Sequence, residues 1–446
     1  MMLGVIYLIL CMLIGKELAG LLLSKKIGYN QIWLTLAVAF GTGVLIMGWA
    51  TYMTAWAASE AGAVHPLIYA NAVVMAVAVL IVVILYWKRY HKAGSFKGIL
   101  ETGMITERRL FRKEAVFFGA LLVFLTWIMF YVFFIKDGVL YSGYTVYGDY
   151  APHTAMMRSF SMGNNFPTQY PHFGGQDVKY HFMFQFFVGN LEFLGLRLDF
   201  AYNVVSVLAL LGFLIFLYHM AKRLAGSFAA GVLTVFFFFF RSSLSFFRFV
   251  IEHLNAGDLW ETLRDNTTFI GYTTNENWGL WNFNVYLNQR HLAFGLLIVA
   301  IVLWLFMDWL EVGCSASETG IRWIKKRIFT KKAWLCVHSE TALLAGMILG
   351  LTSFWNGAAV IGGLLILMGF AVFSDGKLDY LILAVTAVIF SVLQTKIFIW
   401  GDAVSPSFYW GFLSENKSIT GVLWYLIQMS GVFFVGAVLI AFFLRE

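Results

Sequence analysis

The chain has 446 residues, of which 60% are hydrophobic and only 12% are charged. This composition excludes a water-soluble domain, because such a surface would expose apolar patches that aggregate. The formal net charge of +7 does not indicate a nucleic-acid partner, since the Lys and Arg residues form short clusters beside apolar runs rather than a patch interleaved with aromatic residues. We therefore expect lipid to be the main solvent of the chain.

Apolar runs of about 17 to 25 residues recur along the whole chain. Each is long enough to cross a hydrocarbon core of about 30 Å at about 1.5 Å per residue. The expected fold is all-α, a polytopic integral membrane protein with about eleven transmembrane helices. The first run carries Lys16 and Glu17 and lacks a small-residue cleavage site, which favours a retained span over a signal peptide. The predicted spans are residues 2–23, 31–55, 67–87, 114–135, 200–218, 225–240, 291–310, 340–355, 357–373, 378–398 and 419–443.

Basic residues set the expected orientation, because cytoplasmic loops retain Lys and Arg. Residues 88–113 carry eight Lys and Arg residues, residues 322–332 carry six, and two pairs lie at 25–26 and 222–223. With all four clusters in the cytoplasm, the N-terminus lies outside and the C-terminus is cytoplasmic. We expect a multi-pass protein of a bacterial cell membrane. The predicted outer loops are residues 56–66, 136–199, 241–290 and 399–418.

Residues 181–196 form another apolar stretch, which we do not count as a crossing. The stretch is short for a span, at about 16 residues, and it contains Gln185, Asn190 and Glu192. Counting it would also place the basic pair at 222–223 outside. We expect a juxtamembrane helix that lies in the outer interface or dips into it.

Three parts follow from this topology. Residues 1–113 are N-terminal transmembrane helices with a basic cytoplasmic loop, and residues 312–446 are C-terminal transmembrane helices. Between them, residues 114–311 form a core with two large outer loops, 136–199 and 241–290.

The first large outer loop is dense in ionisable side chains. Residues 148–160 predict an amphipathic helix with Asp149 at its start, where a carboxylate can cap the helix. Ionisable groups this close to hydrocarbon are costly and tend to persist where a polar site needs them. The candidate site residues lie within the 33 residues from 149 to 181 and are Asp149, His153, His172, Asp177, Lys179, Tyr180 and His181.

The order of features from residue 149 to 240 resembles the first luminal or periplasmic loop of the GT-C superfamily of glycosyltransferases. That superfamily includes protein O-mannosyltransferases, aminoarabinose transferases of lipid A and oligosaccharyltransferase catalytic subunits. The features that carry the resemblance are the acid Asp149 after an early span, a helix ending near Gly163 and Pro167, a Pro/Gly-rich turn at 170–177, the Tyr-His-Phe run at 180–182, Leu194-Gly195, and a span closing on the basic pair 222–223 and Gly226.

The resemblance implies transfer of a sugar, with inversion, from a polyprenyl-phosphate donor to a glycan, lipid or protein acceptor on the non-cytoplasmic face. It implies that Asp149 acts as general base for the acceptor hydroxyl or as an anchor that orients it. Cations must meet the leaving phosphate, and Lys179, Arg290 and His291 are the candidates. The remaining expected substrate-binding residues are His153, Asp177, Tyr180 and His181.

Several alternatives stay open. Arg290 could simply snorkel to the interface. Asp149 and His153 are spaced i, i+4 and could share a divalent cation, although no cofactor is assigned. The Asn-rich and aromatic run at 275–288 suits carbohydrate, or it forms an interfacial aromatic belt. Either Asp402 or Glu415 could help to bind an acceptor.

Two other functions compete with the glycosyltransferase. A polysaccharide polymerase or ligase would use the same lipid carriers. A transporter or flippase for lipid-linked glycans would place paired charges or broken helices at mid-membrane.

Overall fold

The computed structural model describes residues 2–23, 32–93, 108–143, 148–175, 177–239, 243–267, 283–314, 320–399, 408–411, 413–431, 433 and 436–439. Within these residues the fold is helical apart from one short hairpin, β1 (Phe133–Lys136) and β2 (Val139–Ser142). The helices are α1 (Met2–Leu23), α2 (Ile32–Glu60), α3 (Pro66–Ala93), α4 (Arg108–Val132), α5 (Tyr150–Ser161), α6 (Met183–Phe193), α7 (Leu198–Ala225), α8 (Phe228–Phe239), α9 (Ser245–Ala256), α10 (Leu259–Asp265), α11 (Phe283–Asn288), α12 (Arg290–Cys314), α13 (Gly320–Phe329), α14 (Ser339–Leu351), α15 (Ser353–Phe373), α16 (Lys377–Phe398) and α17 (Ile419–Ser430).

Eight of the described helices are long and apolar enough to cross a membrane, namely α1, α2, α3, α4, α7, α12, α15 and α16. They fit the predicted helical, multi-pass membrane protein. The other three predicted spans coincide with the shorter apolar helices α8, α14 and α17, of 12, 13 and 12 residues. The expected count of eleven crossings therefore stays a prediction.

Close helix contacts hold the N-terminal part of the bundle together. A Cβ atom on Gly15 would lie 1.8 Å from the carbonyl oxygen of Ala39, and one on Gly43 would lie 1.9 Å from that of Cys11. Only glycine permits α1 and α2 to approach this closely. Farther along the chain, α12 packs on α7 and α15, and α14 packs on α16.

The bundle has two ends with different chemistry. At one end, called here the site end, α2 and α4 finish and α7 and α12 begin. At the other end, called here the basic end, α7 finishes in Lys222 and Arg223, and the basic helix α13 follows α12. The basic pair of α7 and the basic helix α13 are thus separated from the first large loop by the length of the spans.

Helices α5 and α6 lie at the site end, within the loop between α4 and α7. Helix α6 has 11 residues and so extends about 16 Å, which is too short to cross a hydrocarbon core. Its residues 183–191 are all buried, so protein covers this helix. A Cβ on Gly189 would lie 2.4 Å from the carbonyl oxygen of Met157, which shows how tightly α6 packs on α5.

The hairpin after α4 was not predicted, because its first strand continues the apolar run of the fourth span. Its turn residues, Asp137 and Gly138, both have positive φ angles, 51° and 78°. Two such residues form the type I′ turn that Asp-Gly favours. The hairpin ends α4 and is fixed to α7, since the backbone N–H of Ile135 donates to Oδ2 of Asp199 over 2.9 Å.

An aromatic cluster between α2 and α6 supports the first large loop on its side toward the helical bundle. The ring centre of Tyr52, near the end of α2, lies 5.0 Å from that of Phe186 and 5.3 Å from that of Phe182. Its hydroxyl lies 2.7 Å from the hydroxyl of Thr168. These contacts hold α6 and the residues before it against α2 and so fix the position of the adjacent residues 180 and 181.

Candidate functional site

Asp149 immediately precedes α5, but its side chain does not cap that helix. The carboxylate instead faces the break between α11 and α12. Nδ2 of Asn288 donates to Oδ2 of Asp149 over 2.8 Å, and Nε2 of Gln289 donates to the same oxygen. Oδ1 of Asn288 also accepts from the backbone N–H of Asp149 over 3.3 Å. Two hydrogen bonds to the carboxylate and one from the backbone therefore fix the position of Asp149.

The chain places these two amides by ending one helix and starting another. Helix α11 ends at Asn288, and α12 begins at Arg290, so Gln289 lies in the one-residue break between them. The backbone N–H of Gln289 donates to the carbonyl oxygen of Val285 over 2.7 Å. The hydroxyl of Tyr150 donates to the carbonyl oxygen of Leu287 over 2.9 Å, which ties the start of α5 to the same break.

Arg290 is the first residue of α12, and its side chain is completely buried. Its Nε donates to the carbonyl oxygen of Leu287 over 3.1 Å, and its Nη1 donates to Oδ1 of Asn203. Its Nη2 donates to the carbonyl oxygen of Met129 over 3.3 Å and to the hydroxyl of Tyr150 over 3.4 Å. One guanidinium thus joins α4, α5, α7 and α11.

Three aromatic rings complete the enclosure of this cation. The guanidinium carbon of Arg290 lies 4.3 Å from the ring centre of Tyr202, 5.4 Å from that of Tyr150 and 5.5 Å from that of Phe133. Aromatic faces stabilise a cation that has lost its water. Arg290 could contact a phosphate only if this cage opened, so the arrangement favours a role in positioning the first turn of α12.

Three histidine side chains, called here the imidazole cluster, lie beside that turn: His153, His181 and His291. The ring centre of His291 lies 4.3 Å from that of His181 and 5.1 Å from that of His153. The hydroxyl of Tyr180 lies 3.4 Å from Nε2 of His291. His153 is one helical turn from Asp149, since its backbone N–H donates to the Asp149 carbonyl oxygen over 3.2 Å.

The imidazole cluster carries buried ring nitrogens that could serve a ligand. Nδ1 of His153, Nε2 of His181 and Nδ1 of His291 are buried, and no group in the described part of the chain hydrogen bonds to them. A buried polar atom without a partner costs about 1–3 kcal/mol. Several such atoms beside a fixed carboxylate are therefore the strongest sign of a binding site in the described residues.

Burial makes two of these imidazoles weak bases. It lowers the pKa of His153 to about 4 and that of His181 to about 3, because desolvation disfavours the charged form. The carboxylate of Asp149 acts in the opposite direction on His153 but does not offset burial. Burial also raises the pKa of the Tyr180 hydroxyl to about 12. At neutral pH both imidazoles are uncharged, and each offers one N–H donor and one acceptor nitrogen.

This burial predicts a loss of stability in mild acid. The pKa of His153 is about 4 in the folded protein against 6.5 for the ordinary group, so between these pH values the unfolded chain binds a proton that the folded chain does not. The contribution of uncharged His153 to the free energy of unfolding is therefore fully present above pH 6.5 and is lost as the pH falls to about 4. At about 1.4 kcal/mol for each pKa unit it amounts to about 3 kcal/mol.

Thermal unfolding midpoints between pH 7.5 and pH 4.5 test this expectation. The decline with falling pH should be smaller in His153→Asn than in the wild type. His172→Asn is the matched control, since His172 is exposed, and it should keep the wild-type decline. Identical declines in His153→Asn and the wild type would contradict the assignment.

Six of the eight predicted site residues lie together in the structure, and Asp177 and Lys179 lie apart from them. The six are Asp149, His153, Tyr180, His181, Arg290 and His291. Lys179 is exposed. Asp177 lines a neighbouring cavity of about 340 Å³. Four residues of chain connect Asp177 to His181, a reach of at most about 14 Å. The cavity is lined by Trp56, Glu60, Pro167, Thr168, Asp177, Ile397 and Phe398.

No metal centre is formed by the residues that the structure describes, because no three His, Cys, Asp or Glu side chains among them are placed to hold an ion. A divalent cation shared by Asp149 and His153 stays a prediction. Most of the predicted carbohydrate-binding run, residues 275–282, lies outside the described residues, and so does Asp402.

Sequence reasoning did not select Asn288 and Gln289 as partners of Asp149. The available signal was the sequence Asn-Gln-Arg-His at 288–291, four polar residues directly before an apolar run. All four now have a place: the first two hold Asp149, Arg290 occupies the aromatic cage, and His291 belongs to the imidazole cluster.

Replacing Gln289 by Glu should lower any activity that depends on Asp149. The change keeps the size of the side chain but sets a second carboxylate against Oδ2 of Asp149, where Nε2 now donates. A hydrogen bond to a charged group contributes about 1.5–3 kcal/mol, so we expect turnover to fall about 10- to 100-fold. The control is Gln169→Glu, the same change at an exposed position. Equal turnover in the two variants would show that Gln289 does not position Asp149.

Comparison of the chain with protein-family models, with curated proteins and with solved structures found no match.

Proposed function

We propose that the chain is a membrane glycosyltransferase that moves a sugar from a polyprenyl-phosphate donor to an acceptor on the non-cytoplasmic face. The observation that carries this proposal is the fixed carboxylate of Asp149 one helical turn from the imidazole cluster. A positioned carboxylate suits proton removal from a hydroxyl, and clustered N–H donors suit a phosphate. The resemblance of residues 149–240 to GT-C glycosyltransferases supports the same reading.

The position of the site supports its orientation. Asp149 lies at the site end of the bundle, whereas Lys222, Arg223 and helix α13 lie at the basic end. Because cytoplasmic loops retain Lys and Arg, the basic end fits the cytoplasm. The site end then faces the compartment in which polyprenyl-phosphate sugars would serve as donors.

The proposed reaction is a single displacement at the anomeric carbon. The acceptor hydroxyl attacks this carbon and passes its proton to the carboxylate of Asp149. The bond from the anomeric carbon to the phosphate oxygen breaks, and its electron pair leaves with the polyprenyl phosphate. Attack opposite the leaving group inverts the anomeric configuration. Asn288 and Gln289 both donate to Oδ2 of Asp149, so the proposal assigns the proton to Oδ1.

The phosphate of the donor is assigned to the imidazole cluster, with Tyr180 beside it. Neutral imidazole N–H groups and a hydroxyl can donate to phosphate oxygens as negative charge develops. The exposed side chain of Lys179, two residues before His181, would have to turn toward this site to add a charge-assisted bond. Arg290 takes an indirect part, because its cage fixes the first turn of α12 and with it His291.

The cavity beside Asp177 is assigned to the acceptor. Trp56 and Phe398 give it aromatic walls, and Glu60 and Asp177 give it two carboxylates. Pyranose C–H faces pack on aromatic rings, and carboxylates accept hydrogen bonds from hydroxyl groups. Nε1 of Trp56 donates to Oε1 of Glu60 over 3.1 Å, which orients both side chains in the wall of the cavity.

A donor panel tests the proposed function. Purified protein in vesicles is incubated with polyprenyl phosphates that carry different labelled sugars and with an envelope extract that supplies glycans, lipids and proteins as acceptors. Both the released polyprenyl phosphate and the glycosylated product are measured. The proposal expects equal amounts of the two for at least one donor, with inverted anomeric configuration. Absence of bond cleavage with every donor would contradict it.

One observation favours the second candidate, a transporter of lipid-linked glycans. Helix α15 contains a residue with non-helical backbone angles, Asn356 (φ −163°, ψ 99°), and broken helices are typical of transporters. The break is lined by apolar groups: Trp355 is buried and stacks on Phe294 at 4.4 Å. The side chain of Asn356 accepts from the backbone N–H of Ala359 over 2.8 Å, so it caps the helix.

The polymerase or ligase alternative shares the chemistry proposed for Asp149 and differs in the acceptor.

A further inference from the structure

A second surface lies at the basic end, around helix α13. Helix α12 starts at the site end and has 25 residues, so its length of about 37 Å separates α13 from Asp149. After α13 the chain forms a short 3-10 helix, Lys331–Trp334, and then enters α14. Nothing in the proposed glycosyl transfer uses this segment.

The segment is held firmly against the bundle. Arg327 is buried, and its Nη1 lies 2.6 Å from Oδ2 of Asp375, in the turn between α15 and α16. The carboxylate of Asp379, in the first turn of α16, accepts from the backbone N–H groups of Val337 over 2.9 Å and His338 over 3.1 Å. Nε1 of Trp334 donates to the carbonyl oxygen of Ile328 over 2.7 Å. The backbone of this segment is therefore fixed on the bundle, and its exposed side chains keep a fixed arrangement relative to one another.

These side chains are of two kinds. Four large apolar side chains within nine residues are exposed: Phe329 by 80%, Val337 by 63%, Leu335 by 53% and Trp334 by 47%. Residues 320–337 contain no Asp or Glu. The exposed cations are Arg322, Lys325, Lys326, Lys331 and Lys332.

We propose that residues 320–337 form a binding surface for anionic phospholipids in the leaflet at the basic end of the bundle. Apolar side chains of this size enter the boundary between headgroups and acyl chains, while neighbouring Lys and Arg side chains attract the negatively charged headgroups. The fixed backbone presents both kinds of side chain together, so the surface distinguishes anionic from zwitterionic headgroups. This inference does not depend on the proposed function.

Lipid retention measured by mass spectrometry tests the proposal. Full-length protein is equilibrated in mixed micelles with equal amounts of phosphatidylglycerol and phosphatidylcholine of the same acyl chains, and the lipids that stay bound are counted. Wild type should enrich phosphatidylglycerol about threefold or more. The combined substitution Lys325→Gln, Lys331→Gln and Lys332→Gln should lower the ratio at least twofold, since only Arg322 and Lys326 remain of the exposed cations on this surface.

The matched control removes the same charge at the site end. Lys136, Arg264 and Lys417 are exposed, and their combined replacement by Gln should leave the enrichment unchanged. Equal loss in both triple variants, or no enrichment in the wild type, would overturn the proposal. Binding of heparin that depends on the three lysines, without any lipid preference, would also overturn it, because it would indicate a soluble polyanion as partner.

Discussion

Replacing Arg290 by Met should destabilise the protein more than any other substitution considered above. The guanidinium donates to the carbonyl oxygens of Leu287 and Met129 and to Oδ1 of Asn203. Met fills part of the volume but donates nothing, so Oδ1 of Asn203 and the carbonyl oxygen of Met129 each lose a hydrogen bond at a cost of about 1–3 kcal/mol. The carbonyl oxygen of Leu287 keeps the hydroxyl of Tyr150 as a partner. The thermal unfolding midpoint of the purified protein measures the loss.

Two further variants test whether the hydrogen bonds of Arg290, rather than its charge alone, account for this loss of stability. Arg290→Lys keeps the positive charge, but a single ammonium group cannot reach the oxygens on three helices, so this variant should also be less stable than wild type. Arg264→Met is the control, because Arg264 is exposed and pairs with its exposed neighbour Asp265. Exposed pairs contribute about 0–1 kcal/mol. Midpoints that are equal for Arg290→Met and Arg264→Met would show that the cage does not stabilise the fold.

Replacing Asp149 by Asn should have the largest effect on activity. The amide has nearly the shape of the carboxylate but cannot take a proton from the acceptor hydroxyl. General base catalysis contributes about 10²- to 10⁴-fold, and we expect turnover to fall by this factor. The donor KM should change far less, because the imidazole cluster that is assigned to the phosphate stays in place.

The control for this substitution is Asp137→Asn. Asp137 lies in the exposed turn of the β hairpin with φ of 51°, a conformation that Asn also tolerates. Its replacement should leave turnover and KM unchanged. Turnover of Asp149→Asn within a fewfold of the wild type would remove Asp149 from the proton transfer.

The membrane-spanning part of the fold was the most predictable from sequence. A crossing needs a long apolar run, and such a run is visible residue by residue. The exclusion of residues 181–196 agrees with the 11-residue helix α6, and the predicted helix that starts beside Asp149 is α5. The hairpin at Asp137-Gly138 was missed although its turn signature was present, because the apolar run of α4 continues into β1.

The site was less predictable, because its contacts join distant parts of the chain. Asn288 and Gln289 meet Asp149 only when the break between α11 and α12 packs on the start of α5. Arg290 looked like an interfacial cation next to a span, whereas rings from three separate elements enclose it. Local sequence patterns carry no information on such pairings.

The most direct test of the central claim follows chemistry and transport in one sample. Vesicles containing the wild type or Asp149→Asn receive a polyprenyl-phosphate sugar labelled in the sugar, together with an envelope extract that supplies glycans, lipids and proteins as acceptors. The experiment records both cleavage of the sugar–phosphate bond and movement of the intact lipid between leaflets. The glycosyltransferase proposal predicts bond cleavage in the wild type, its loss in the variant, and no movement of intact donor above that in protein-free vesicles. Movement of intact donor without cleavage, equal in both proteins, would contradict it and favour the transporter.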